Sequence, residues 1–288
     1  MPSNLKNSHS PFDADLQKAF ERNIRDTLAE DVGAADLTGL LVPADEVVQA
    51  QVIVREDAIL CGAPWFDVVM TTLDASIEVD WQYAEGEAIK ANTVVCKIKA
   101  PARALLTAER SALNFLQMMS AVATATGKYV AIIAGTKAAI LDTRKTLPGL
   151  RLAQKYAVRV GGGKNQRLAL YDGILIKENH IAAAGGVAAA MQHALSLNAG
   201  VSIQIEVETL EQLQTALQAG ATSILLDNFD TAMMREAVAI NAGRALLEAS
   251  GGIDHVTVRA IAETGVDRIS IGSLTKDIKA TDYSLRII

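Results

Sequence analysis

Cysteine and histidine are scarce in this chain of 288 residues: two cysteines, Cys61 and Cys96, and four scattered histidines, His9, His180, His193 and His255. None of them shows metal-type spacing, which argues against a zinc site. Single cysteines in apolar or strand-like runs are expected to stay reduced, as in a cytoplasmic protein. Blocks of like charge are missing too. The 27 Lys and Arg set against 33 Asp and Glu leave a net charge of -6 with no basic stretch, which argues against non-specific binding to nucleic acid or a membrane surface. Long apolar runs are also absent. The most apolar region, Met118 to Leu141, is broken by Lys128 and Lys137, and the first dozen residues are polar. Neither a membrane span nor a signal peptide is therefore expected.

What the chain has in quantity is apolar side chain, half of its residues. A chain of this length buries roughly 75% of its unfolded surface, enough for one large domain or two unequal ones. The rhythm changes near residue 115. Before it, Phe12, Leu16, Ala19, Phe20, Ile24 and Leu28 recur at helical spacing, predicting a helix over Phe12–Glu30. Val47–Val54 and Val94–Ile98 alternate as half-buried strands, with Asp67–Leu73 a helix between them. This mixture predicts an N-terminal α+β sandwich domain over residues 1–115, onto which a C-terminal segment of about 276–288 packs back. A helix-favouring segment, about Ala102–Ala134, leads into a second domain over 116–275.

After residue 135 the pattern becomes short apolar strand, loop, helix. Strands are expected at Ala138–Leu141, Gly173–Ile176, Ser202–Val207, Ser223–Leu226, Ala245–Leu247 and Arg268–Ile271, and helices at Leu150–Val160, Val187–Leu197, Leu210–Ala219, Thr231–Asn241 and Val256–Thr264. Such alternation implies a parallel sheet, either closed as a barrel or doubly wound. Polar residues follow each strand: Arg144 and Lys145, then Lys177, Glu206, Asp227, Ser250 with Gly251 and Gly252, and Gly272 with Ser273. Loops that converge on one site favour an incomplete TIM-like α/β barrel.

The cations Arg144, Lys145, Arg167 and Lys177, with Arg110 as an outlying candidate, exceed what a single carboxylate needs. Arginine grips carboxylate or phosphate through a planar fork, so the set suggests a ligand with several anionic groups. Glu206 and Asp227 would repel that ligand, and a hard cation such as Mg²⁺ between them and a pyrophosphate removes the conflict. Ser250-Gly251-Gly252 and Gly272-Ser273 fall where barrels bind phosphate through backbone N–H groups. Blander readings stand beside these. Glu206 and Asp227 could form salt bridges with Lys145 and Lys177 that merely hold the barrel. Gly161-Gly162-Gly163 suits a helix cap and turn. His180 reads as an orienting group or a core histidine, and the other histidines as surface residues.

The run Asp142-Thr143-Arg144-Lys145-Thr146-Leu147-Pro148-Gly149-Leu150-Arg151, with Lys155-Tyr156-Ala157-Val158, Ile176-Lys177-Glu178-Asn179-His180-Ile181, Leu226-Asp227-Asn228 and Ser250-Gly251-Gly252, resembles quinolinate phosphoribosyltransferases. Glu30-Asp31, Glu109-Arg110 and Leu113-Asn114 extend the resemblance to the front of the chain. It implies decarboxylating transfer of phosphoribose from phosphoribosyl pyrophosphate to quinolinate, giving nicotinate mononucleotide, CO₂ and pyrophosphate. It further implies that Thr143, Arg144, Lys145, Gln166, Arg167 and Lys177 bind quinolinate and nearby phosphate oxygens, and that Arg110 enters from the partner of a homodimer. Glu206 and Asp227 would hold Mg²⁺ and the ribose, with Lys145, Glu206 and Asp227 acting in catalysis. Ser250, Gly251, Gly252, Gly272 and Ser273 would bind phosphate.

Three positions depart from the family pattern. Gln166 stands where that pattern has histidine; it can donate a hydrogen bond to a carboxylate but cannot become a cation. Modestly weaker binding with surviving activity is expected. Ala35 and Ala121 stand in place of glycines. Two alternatives accompany the resemblance: a catalytically silent paralogue that binds ligands or a partner, and a transferase for another pyridine carboxylate. A carrier-domain reading of Val79–Ala100 fails, because no turn lysine flanked by methionines is present.

Overall fold

The computed structural model describes residues 7–43 and 46–288; residues 1–6, half of the polar first dozen, lie outside them. In chain order the helices and strands begin with α1 (Ala14–Asp31), β1 (Val47–Val54), β2 (Ala58–Ile59), α2 (Ala63–Leu73), β3 (Glu78–Trp81), β4 (Ala88–Ile89), β5 (Thr93–Pro101) and α3 (Ala102–Ile132). There follow β6 (Ala139–Leu141), α4 (Arg151–Val160), β7 (Gly173–Ile176), α5 (Glu178–Ala184), α6 (Val187–Ser196), β8 (Ser202–Val207), α7 (Leu210–Gln218) and β9 (Ser223–Asp227). The last are α8 (Thr231–Asn241), β10 (Leu246–Ser250), α9 (Val258–Ala262), β11 (Arg268–Ser270), α10 (Ser273–Lys276) and β12 (Tyr283–Ile287). The chain forms two compact units. One runs to Gly127 and adds Thr146–Gly162 and Thr275–Ile288; the other comprises Lys128–Lys145 and Gly163–Leu274. The sequence divides the chain near residue 115 instead, and assigns α4 to the second region.

In the first unit, α1 begins two residues later than its apolar spacing suggests. The Asp13 carboxylate accepts the Leu16 N–H at 2.8 Å, which makes Asp13 the N-cap and leaves Phe12 outside the helix. Phe12 then packs edge-on against Phe20 and against Trp65. α2 begins four residues earlier than expected, with Pro64 in its first turn, where the missing N–H costs nothing. That early start buries Trp65 and Phe66 completely. The antiparallel sheet runs β12-β1-β5-β3. Ala50, Val52 and Val54 lie on its buried face beside Cys96, Ile98 and Ala100, a period-2 pattern that gives the sheet one core side. Tyr283–Ile287 forms the edge strand against β1.

The second unit carries a parallel sheet in the order β6-β11-β10-β9-β8-β7. This order separates the two architectures the sequence left open. A doubly wound sheet reverses direction at a switch point. Here β7 to β11 succeed one another without reversal, and β6 joins the far edge beside β11, the cyclic order of a barrel. No β-ladder joins β6 to β7 among the described residues, so the barrel is incomplete. Residues 164–167 span that gap: Lys164 makes a parallel bridge with Leu141 at the end of β6, and the Arg167 Nη1 donates to the Gly173 carbonyl of β7 at 3.0 Å. No described helix is long and apolar enough to cross a membrane.

Candidate active site

The carboxyl ends of the parallel strands in the second unit gather the chemistry. Lys177 follows β7, Glu206 lies in β8, Asp227 closes β9 and Ser250 closes β10. The registers place Ser250 opposite Asp227 and align the ends of β7 and β8. Buried apolar side chains in these strands support the ends: Ile176, Ile205, Val207, Leu226 and Leu247.

Lys177 Nζ lies 3.4 Å from Glu206 Oε2. Burial pushes the Glu206 carboxyl above its ordinary range, the negative Asp227 adds to the shift, and Lys177 opposes it. The bland salt-bridge reading is thus half realised, for Glu206. The Asp227 carboxylate instead accepts the Asn228 side-chain amide at 2.9 Å.

Arg144 and Arg167 make a second centre. The Nε of Arg144 is buried and has no hydrogen-bond partner, a costly state for a charged donor. The Arg167 guanidinium is shifted below its ordinary value, by burial first and then by the positive charge of Arg144, with Asp172 opposing. A guanidinium that carries its charge beside a second cation is suited to an anion.

Backbone and glycine geometry shape the rest. The Lys145 stem lies over Gly272: a Cβ on that glycine would stand 3.1 Å from Lys145 Cδ and 3.6 Å from Thr143 Oγ1, so Thr143, Lys145 and Gly272 form one cluster. Gly251 has φ +105, and a Cβ there would come within 2.1 Å of Asn228 Oδ1. Glycine at this position lets the turn after β10 pass against Asn228. Gly252 also has positive φ, and Ser273 starts α10.

Not every expected residue is placed in this gathering. Arg110 is an exposed residue of α3 in the first unit, where it lines a hollow with Asp31, Asp36 and Leu106. Gln166 turns inward: its Nε2 donates to Gln204 Oε1 at 2.6 Å and lies 3.3 Å from Glu248 Oε2, while its Oε1 accepts the Arg167 N–H. His180 is exposed, and its Nδ1 accepts the Lys177 N–H at 3.0 Å. It therefore orients the start of α5, and the core-histidine reading falls. His9, His193 and His255 are exposed, as expected. Sequence reasoning missed Gln204 and Glu248. Both are buried polar residues two positions before a site residue on the same strand, a spacing that puts them on the same face.

Residues 36–120 match the family model for the quinolinate phosphoribosyl transferase N-terminal domain and residues 122–286 that for its C-terminal domain. The chain is 41% identical over 277 residues to a nicotinate-nucleotide pyrophosphorylase [carboxylating] from Mycobacterium leprae, covering 93% of this chain and 96% of the relative. It is 38% identical over 260 residues to a probable enzyme of the same name from Bacillus subtilis, covering 90% of each. The structure of the nicotinate-nucleotide pyrophosphorylase from Francisella tularensis superposes with a TM-score of 0.91 at 45% identity, over 94% of this chain and 96% of that one.

Proposed function

The chain belongs to the quinolinate phosphoribosyltransferase family, and from that membership we propose how the end of its barrel is used. The reaction is decarboxylating phosphoribosyl transfer in NAD biosynthesis. The pyridine nitrogen of quinolinate forms a bond to the anomeric carbon of phosphoribosyl pyrophosphate while the bond from that carbon to pyrophosphate breaks. The pyridinium ring then accepts the electron pair of the bond to the 2-carboxylate, CO₂ leaves, and a proton takes its place on the ring. The product is nicotinate mononucleotide.

In this reading Arg144 and Arg167, with Lys177, clamp the quinolinate carboxylates and aim the ring nitrogen at the ribose. The buried, unpartnered Nε of Arg144 beside a partly buried Arg167 is the observation that carries it. A bound carboxylate would give the Arg144 Nε an acceptor and set a negative charge beside both guanidiniums. Thr143 and Lys145 cluster over Gly272, and in this reading Lys145 neutralises the departing pyrophosphate. Ser250, Gly251, Gly252, Gly272 and Ser273 offer hydroxyls and backbone N–H groups to the phosphate of the ribose. Gln166, already tied to Gln204 and Glu248, acts on quinolinate through the position of Arg167 rather than by its own charge.

Glu206 and Asp227 would hold Mg²⁺. The pair fits a hard cation that binds through one or two carboxylates and completes its shell with substrate phosphates, since the negative charge of Asp227 raises the Glu206 pKa. When bound, Mg²⁺ offsets the negative charge of the pyrophosphate. We further propose a homodimer in which Arg110 reaches the partner's site. The exposed Arg110, and Leu37, Leu40 and Leu41 at 77%, 60% and 83% exposure in the same unit, support an interface there. The two buried free thiols suit a cytoplasmic setting.

The test is to incubate purified protein with quinolinate, phosphoribosyl pyrophosphate and Mg²⁺, following nicotinate mononucleotide and CO₂ together, with nicotinate as the parallel acid. Both products from quinolinate alone are expected. Product from nicotinate, or from neither acid, would overturn the site assignment.

A further inference from the structure

Beneath the ligand-facing ends of β8 and β10 lies a second polar layer. Side chains alternate along a strand, so Gln204 shares a face with Glu206, and Glu248 with Ser250. A barrel interior at this depth is ordinarily filled with branched apolar side chains. Here Glu248 is 1% exposed and Gln204 is 6% exposed, and the contacts of the Glu248 carboxylate are amides: Gln204 Nε2 at 2.9 Å, with Gln166 Nε2 at 3.3 and 3.5 Å from its two oxygens. Burying a carboxylate against neutral donors is expensive, and an apolar layer of equal volume is often no less stable. Stability alone does not account for it.

The layer leads to one place. Gln166 joins it from above, donating to both Gln204 and Glu248 while its side-chain oxygen accepts the backbone N–H of Arg167. The same short segment is held from β6: Asp142, fully buried, accepts the Gln166 N–H at 2.9 Å and the Asn165 side-chain amide at 2.6 Å. Three residues, Asn165 to Arg167, are thereby fixed by side chains from the β6 end, β8 and β10. The segment has no β-ladder of its own beyond the bridge at Lys164, and it ends in Arg167, on which the positive charge of Arg144 acts.

We propose that Glu248, acting with Gln204 through the Gln166 amide, is a positioning residue that sets where Arg167 meets the pyridine carboxylate. The inference rests on the quinolinate reading of this site and adds a determinant of acid-substrate affinity. The carboxylate supplies the lower end of a rigid chain, Glu248 to Gln166 to the Arg167 backbone, and Gln204 cross-links it. Loss of the lower end frees the Gln166 side chain and with it the clamp. Phosphate groups, held by the turns after β10 and β11, do not depend on this chain.

The experiment compares Glu248→Leu, Gln204→Leu and Glu248→Gln with the wild type. It measures KM for each substrate, kcat, direct quinolinate binding by calorimetry, and thermal unfolding. Both leucine variants should raise the quinolinate KM and Kd about tenfold or more, the scale a misplaced binding group produces, while the phosphoribosyl pyrophosphate KM stays within about twofold. Glu248→Gln keeps an acceptor oxygen and should stay within about threefold of wild type. Should Glu248→Leu fail to fold, Gln204→Leu carries the comparison. Equal changes in both KM values, an unchanged quinolinate Kd in Gln204→Leu, or Glu248→Gln as impaired as Glu248→Leu would each overturn the proposal. A wild type that does not bind quinolinate strikes the site reading itself, whereas a wild type that binds it normally beside an unaffected Gln204→Leu strikes only this inference.

Discussion

Lys177 and Glu206 face each other across the ends of two neighbouring parallel strands, Nζ to Oε2 at 3.4 Å. The pair is unequal in its surroundings, since the lysine side chain is 46% exposed and the glutamate 13%. An exposed lysine has little reason to order itself for stability alone. In the proposed site its charge favours the ionised form of the largely buried Glu206 carboxyl and stays available to meet an anion. Replacing Lys177 with Met is expected to lower kcat/KM about 10²-fold or more, and Glu206→Gln by a similar factor. Because the two groups act on each other, the double variant should lose much less than the product of the single losses. A double-mutant cycle on kcat/KM checks this, and full additivity would deny the coupling.

The positive charge of Arg144 bears on Arg167 and helps hold its guanidinium below the ordinary value. Arg144→Gln should therefore leave thermal stability unchanged or slightly raised. Each lost charge-assisted contact to quinolinate is worth about 1.5–3 kcal/mol, so quinolinate affinity should fall by roughly 10- to 100-fold. Arg144→Lys should not restore it, because an ammonium lacks the planar fork. Thermal shifts at one fixed quinolinate concentration measure both effects: the ligand-induced shift should be clearly smaller in both variants than in the wild type. A variant that kept the full shift would remove Arg144 from the site.

Much of this is legible in the residues alone. The pattern predicts β7 and β8 to the residue, because branched apolar residues bounded by Gly173 and Ser202 favour strands there. It predicts α8 to the residue too, because Asp230 caps it through Ala232 and Met233. The apolar pattern predicts the next strand at Ala245–Leu247, ending before Glu248, whereas β10 runs Leu246–Ser250. The strand continues through that carboxylate because Gln204 and Gln166 satisfy it, a long-range fact no local pattern records. β3 and β12 were missed as strands for a related reason: exposed polar residues alternate with apolar ones in segments of four and five residues, too short for the period to register. The cation set at the strand ends was visible as residue types. What the sequence could not display was direction, as with Gln166, which turns into the barrel.

Gly251 makes a further test of the phosphate turn. Its φ of +105 and the 2.1 Å approach of a would-be Cβ to Asn228 Oδ1 mean that Gly251→Ala must displace Asn228 or the turn itself. Asn228 in turn donates to Asp227 at 2.9 Å. The substitution should raise the KM for phosphoribosyl pyrophosphate about tenfold or more, while quinolinate affinity changes little. Gly252→Ala meets no neighbour within 4 Å but also sits at positive φ, so a milder effect of the same kind is expected. Steady-state kinetics on both variants would expose the error if quinolinate affinity suffered first.

Glu85 should make the first unit lose stability as pH rises. Its carboxyl is buried, and that burial pushes its pKa up to about 7, even though the Gly62 and Ala63 N–H groups donate to it. The folded value lies above the unfolded one, so the folded state favours the protonated form. The stabilisation is fully present below about pH 4.5 and is lost as pH rises toward 7. A shift of this size amounts to about 3 kcal/mol. Both tryptophans of the chain, Trp65 and Trp81, belong to this unit, so denaturant unfolding followed by tryptophan fluorescence reports on it directly. The midpoint should move to lower denaturant between pH 5 and pH 7.5 in the wild type. Glu85→Gln cannot ionise, so its midpoint should move less over the same range. An equal pH dependence in the two proteins would remove Glu85 as the source.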